Sequence, residues 1–128
     1  MRDRIRVYIA GPISNGGTAD AETRLANVRK AIDVFLRLTE LGYAPLAPQL
    51  TEWIEILIGR RIAHATWMAI DLPWVEACEL LFRMEGPSTG ADLEVAHARR
   101  HGVPVVFSFE ELSELMDAGD DVEGLAEK

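Results

Sequence analysis

Apolar residues arrive in short blocks along this chain, and their spacing switches between that of buried strands and that of helices. Ile5-Arg6-Val7-Tyr8-Ile9-Ala10 is β-rich and almost continuously apolar, the pattern of a central parallel strand covered on both faces. Gly11-Pro12-Ile13-Ser14-Asn15-Gly16-Gly17 breaks it with turn residues. Asp20 is placed to cap a helix in which Leu25, Val28, Ile32, Phe35 and Leu38 (or Leu36) recur at helical spacing, and Gly42 ends that helix. Tyr43 to Ala47 predicts a second strand, and Pro45 and Pro48 place it at a sheet edge.

Two helices are expected next, over Thr51 to Leu57 and Ile62 to Leu72, with Gly59 between them and Pro73 closing the second. This stretch carries Trp53, Trp67, Trp74 and His64, a composition read as a core helix pair ahead of a lid or a dimer surface. Glu76 to Met84 predicts a third strand around the apolar run Ala77, Cys78, Leu80, Leu81 and Phe82. A helix from Gly90 to His101 follows and stops at Gly102. Val103 to Phe107 gives a fourth strand, and Phe109 to Met116 a last amphipathic helix.

The order β-α-β-α-α-β-α-β-α implies an α/β fold of the flavodoxin/Rossmann-like, three-layer kind. Four mainly parallel strands are expected, five being the alternative count, and right-handed crossovers give the order 2-1-3-4. The switch point then lies between the carboxyl ends of the first and third strands, where both glycine-bearing loops arrive.

The length of 128 residues suits one domain, read as 1–116, with an acidic tail over 117–128 expected to fray into solvent. A formal net charge of -8 argues against binding duplex nucleic acid and leaves room for a small phosphorylated ligand at a helix amino end. The single cysteine, Cys78, fits a reduced, cytoplasmic setting and a structural role. No apolar stretch approaches the ~20 residues of a membrane span, and the apolar run near the start is too short for a signal peptide.

The candidate chemistry gathers in Gly86-Pro87-Ser88-Thr89-Gly90-Ala91-Asp92-Leu93-Glu94. Thr89 and Asp92 read as a capping-box-like pair, which leaves Ser88 and the first N–H groups of the helix to meet an anion. Glu94 shares a helix face with Ala91 and Ala98, small neighbours that leave room for an approaching group. The helix macrodipole near its positive end favours an ionised, nucleophilic carboxylate there. A solvated surface glutamate is the competing reading. Asp71, at the end of the tryptophan-bearing helix, is either an Asx-turn carboxylate or the second acid of a pair that could cleave a glycosidic bond. The first loop lacks the spacing of a Rossmann fingerprint or a P-loop. Glu94-x-x-His97 lacks the further ligands of a di-iron site, and His64 and His101 read as ordinary helix residues. No Cys/His cluster suggests zinc, so neither metal nor cofactor is called for.

Val7-Tyr8-Ile9-Ala10-Gly11-Pro12-Ile13, then Asp71, then Pro87 to Glu94 followed by Ala98 and Gly102-Val103-Pro104-Val105, resembles the nucleoside 2-deoxyribosyltransferase-like superfamily. Within it the chain looks most similar to a group of small bacterial and phage proteins designated domain of unknown function 4406. The resemblance implies that Glu94 attacks C1′ of a (deoxy)ribosyl group and that Asp71 helps protonate the leaving base. It implies a nucleoside site lined by Tyr8, Gly11, Pro12, Ile13, Ser14 and Gly16. It also implies a homodimer or higher homo-oligomer. Six residues before the nucleophile, deoxyribosyltransferases carry aspartate, whereas the 2′-deoxynucleoside 5′-phosphate N-hydrolases carry a phosphate-contacting serine in a Pro-Ser-x-Gly turn. This chain has Ser88, with Gly90 completing the turn, which tilts the expectation toward hydrolysis of a nucleoside 5′-monophosphate. The loop departs from the hydrolases at Pro12, where they have serine, and lacks an arginine before Gly16-Gly17. Base transfer, or a non-catalytic module binding a nucleotide or an ADP-ribose-like ligand, are the alternatives.

Overall fold

A computed structural model describes residues 3–13 and 19–118. Ser14, Gly16 and Gly17 of the first loop, and all of the acidic tail beyond Ala118, lie outside the described residues. The elements are β1 (Arg6–Ala10), α1 (Ala21–Glu40), β2 (Ala44–Leu46), a 3-10 turn (Pro48–Thr51), α2 (Glu52–Ile58), α3 (His64–Ala77), β3 (Leu80–Arg83), α4 (Thr89–Arg100), β4 (Val105–Val106) and α5 (Phe109–Asp117).

All strand pairs are parallel, and the four-stranded sheet runs β2-β1-β3-β4, the order that right-handed crossovers require. The proline-bearing β2 is an edge strand. Along β1, Val7 and Ile9 point to one face and Tyr8 and Ala10 to the other, so each half of the strand's residues feeds a separate core. Val7, Ile9, Leu80 and Phe82 pack with Ala31 and Leu38 of α1 and Leu112 of α5. On the opposite face Tyr8, Ala10 and Leu81 meet Val75 of α3 and Ala91, Val95 and Ala98 of α4. No described helix is long and apolar enough to cross a membrane.

Several boundaries differ from the sequence reading. The largest difference is at Pro73, which lies inside α3 rather than closing it, so Ala77 is helical, Cys78 caps the helix and β3 begins only at Leu80. A mid-helix proline frees the carbonyl four residues earlier, here that of Ala69. Ala69 and Pro73 both lie on the exposed side of α3, where water can take up the freed carbonyl, while Val75 anchors the last turn on the sheet. Asp71 is consequently a mid-helix residue and not a helix-end carboxylate.

The tryptophan-bearing helices are not a core pair either. Trp53 and Trp74 are about half exposed, and Ile54, Ile56, Leu57, Ile58 and Ile70 also face outward. Only one α3 residue, Val75, is fully buried.

Candidate functional site

The carboxyl ends of β1 and β3 lie side by side, and the loops that leave them are held close. A Cβ on Gly11 would sit 3.0 Å from the Met84 Cβ, and one on Gly86 would sit 3.0 Å from the Pro12 Cγ. Gly86 also adopts φ +114°, a conformation that side chains rarely tolerate. Asn27 of α1 donates through Nδ2 to the Ile13 carbonyl (2.9 Å), tying the first loop to its helix. Arg83, buried at the end of β3, donates to the Met84 carbonyl, the Gly86 carbonyl (3.0 Å) and Asp92 Oδ1 (3.0 Å), which shapes the turn into α4.

That turn is capped differently from the expected capping box. Ser88 is the N-cap, and its Oγ accepts from the Ala91 N–H at 3.0 Å. Thr89 is the first helical residue, and Asp92 serves Arg83 instead. Ser88 is favoured because its backbone is extended, the geometry an N-cap needs. Its oxygen is thus occupied as an acceptor, while the Thr89 and Gly90 N–H groups have no partner among the described residues.

Above this switch point opens a cavity of about 560 Å³. Its walls include Gly11 and Ile13 from the first loop, the N-cap Ser88, Gly90 and Glu94 from α4, and His64, Trp67, Met68 and Asp71 from α3. The two acids singled out in sequence therefore open onto one cavity. Pro12 is buried beside it without lining it, and Ser14 and Gly16 are outside the described residues. Tyr8 does not line the cavity. It is fully buried beneath Glu94 and its hydroxyl donates to Glu94 Oε2.

Burial dominates the electrostatics of this half of the cavity. It pushes the Glu94 carboxyl up to about 8; the Tyr8 hydrogen bond opposes the rise, the Asp71 charge adds to it, and Arg83 opposes it. The ionised carboxylate expected from the helix dipole is overturned, because desolvation outweighs a partial charge one and a half turns away. Ala91, expected to leave room beside Glu94, lines the cavity with it, whereas Ala98 is packed into the core under α4. Asp71 is pushed up to about 6, again by burial. Burial and these two acids drive the Tyr8 phenol far above its usual range, so it stays a neutral donor. The Cys78 thiol, raised to about 11 by burial, has no nucleophilic character.

The opposite wall was not legible in the sequence. Arg24 donates to Glu52 through Nε (2.8 Å) and Nη2 (2.5 Å), and Arg61 donates to Glu55 (2.8 Å) and Glu52 (3.1 Å). Glu55 also accepts from the Trp67 indole (2.8 Å) and the Ile62 N–H (2.9 Å). Next to them Gln49 donates to the Ile9 carbonyl (3.1 Å), and its Oε1 is buried with no partner among the described residues. The signal lay in Glu52-x-x-Glu55, two acids on one face of an otherwise apolar helix. Arg24 lay hidden on the buried stripe of α1 that Val28, Ala31 and Leu38 define.

No family model and no curated protein matches the sequence. Solved structures do. A 2-deoxyribosyltransferase from the psychrotolerant bacterium Bacillus psychrosaccharolyticus superposes with a TM-score of 0.54 at 23% identity, over 78% of this chain and 69% of that one. A second, from Leishmania mexicana, gives 0.55 at 18% identity over 80% of this chain, and is matched over 62% of its own length. At these identities the likeness speaks to architecture, and on that ground this chain has the 2-deoxyribosyltransferase fold.

Proposed function

We propose that the chain cleaves the N-glycosidic bond of a nucleoside 5′-monophosphate, as a hydrolase of the group whose Pro-Ser-x-Gly turn it shares. The observation that carries this reading is the pairing of Asp71 and Glu94 in one cavity, both raised by burial and neither in an ion pair among the described residues. In the form in which the pair's one proton sits on Asp71, the ionised Glu94, steadied by Tyr8, attacks or stabilises the anomeric carbon. Asp71 gives its proton to the departing base and, on the return step, takes one from water. The free N–H groups of Thr89 and Gly90 and the Ser88 hydroxyl suit the 5′-phosphate. The unpartnered Gln49 Oε1 suits an N–H donor on the base, and the Trp67 ring and Met68 supply apolar surface for it.

Transfer to a second base is the other reading, favoured by the fold shared with two 2-deoxyribosyltransferases. The exposed apolar residues of α2 support a homo-oligomer in either case, since a contiguous apolar patch of this kind marks an interface.

The test is incubation with a panel of nucleosides and their 5′-monophosphates, followed by chromatography for free base. Release from monophosphates by wild type, abolished in Glu94→Ala, is the expected result. Exchange into an added second base without net release would replace hydrolysis by transfer. Thermal stabilisation by a nucleotide with no turnover would reduce the chain to a binding module.

A further inference from the structure

Away from the cavity, α3 and α4 meet again at Glu76, His97 and His101. His97 Nε2 lies 2.7 Å from Glu76 Oε2, and His101 Nε2 lies 3.7 Å from Glu76 Oε1. One donor atom from each residue falls within 4.8 Å of the other two. His97 lies in the last turn of α4 and His101, four residues on, is its C-cap; their ring centroids are 4.2 Å apart, close to the spacing by which helical His-x-x-x-His pairs hold a metal ion.

His101 is already set for ligation. Its Nδ1 lies 2.9 Å from the His97 carbonyl, which can only accept, so Nδ1 carries a proton and Nε2 is the nitrogen left for a ligand. That nitrogen faces a carboxylate oxygen at 3.7 Å, beyond hydrogen-bond reach. A cation between them satisfies both. His97 and His101 also stand at the carboxyl end of α4, where the helix dipole favours positive charge.

We propose that Glu76, His97 and His101 form a surface site for a divalent transition cation of the zinc class, cross-linking α3 to α4. Two imidazoles and one carboxylate are the donor set of an open tetrahedral zinc site, with water in the fourth position. Such bonds set donor atoms roughly 3.4 Å apart, which the exposed Glu76 and His101 side chains reach by small rotations. On loading, His97 shifts its proton from Nε2 to Nδ1 and gives up the long 3.4 Å contact from Arg100. The site ties together the two helices that carry Asp71 and Glu94, and it does not depend on the nucleoside reading.

The experiment is calorimetric titration of the metal-stripped full chain with Zn²⁺ at about pH 7.5, since ligation requires an unprotonated imidazole nitrogen. One Zn²⁺ per chain and a raised Tm are expected, with no uptake of Mg²⁺, which prefers all-oxygen sites. His101→Ala and Glu76→Gln, both at exposed positions, should each weaken Zn²⁺ binding by about tenfold or more and keep the metal-free Tm of wild type. Absence of Zn²⁺ uptake by wild type overturns the proposal. So does uptake that neither substitution weakens, which would place the ion at Cys78 or in the cavity.

Discussion

The cavity has two walls, each carrying a pair of acids, all buried except the half-buried Asp71, and burial acts on the two pairs with opposite outcomes. Glu52, Glu55 and Glu94 are almost equally inaccessible, at 5%, 8% and 6%. Burial pushes all of them up. At Glu52 it is overcome by hydrogen bonds from Arg24 and Arg61, and at Glu55 by those from Trp67, Ile62 and Arg61, so both carboxyls stay below the usual range. At Glu94 the opposing donors are one neutral phenol and a more distant Arg83, and burial prevails. Burial alone does not make a reactive acid. The donors withheld from it do, and the wall without guanidinium partners is the one suited to chemistry.

Glu94→Gln should break the comparison most sharply. The amide keeps an acceptor for Tyr8 and removes the charge, so turnover should fall by at least about a thousandfold. Stability should move the other way. The folded carboxyl titrates near 8, above its value of 4.5 in the unfolded chain, so its contribution is fully present below about 4.5 and is lost as pH rises through about 8. Above that pH the variant should be more stable than wild type by a few kcal/mol, roughly 1.4 for each pH step between those two values, with the gap closing toward about pH 4.5. Urea melts at several pH values measure it. A Tm lower than wild type at high pH would show that Glu94 is held as a paired charge, like the acids of the other wall.

Arg24→Met attacks the opposite wall. It leaves Glu52 and Glu55 buried with the exposed Arg61 as their one cationic partner among the described residues, a loss of about 3–5 kcal/mol for a broken buried pair. Adding Glu52→Gln should recover part of that loss, since the stranded charge goes with it. Equilibrium denaturation at neutral pH gives both numbers. A cost below about 1 kcal/mol would mean that these acids need no guanidinium, and the contrast between the walls would fail.

Much of this arrangement could be read from residue order. The alternation of strand and helix periods, with right-handed crossovers, led to the sheet order and to the switch point where Glu94 and Asp71 converge. What could not be read depends on which way a helix faces. Hydropathy spacing aligns apolar residues, so a buried Arg24 on the same stripe as Val28 and Ala31 carried no signal. Pro73 looked like a terminator because the exposure of Ala69, which lets its carbonyl be hydrated, is a tertiary property. Ser88 and Thr89 are equivalent cap candidates by type, and only the extended backbone at Ser88 separates them.

Tyr8→Phe makes the smallest change and tests the donor rule at the wall proposed to be reactive. The ring is fully buried against Val75, Leu81 and neighbouring core residues, and phenylalanine retains that packing. With one proton shared by the Asp71–Glu94 pair in the active form, kcat/KM should rise with pH through about 6 and fall again through about 8. The Tyr8 hydrogen bond pulls Glu94 downward, so its removal should carry the alkaline limb above about 8 and leave the acid limb near 6. The height of the profile should drop by about tenfold, the scale of one lost hydrogen bond to a charge developing in the reaction. A uniform loss with both limbs unmoved would make Tyr8 a packing residue. An alkaline limb that moved down would mean that the phenol was stabilising the protonated acid, and the roles assigned to Glu94 and Asp71 would have to be exchanged.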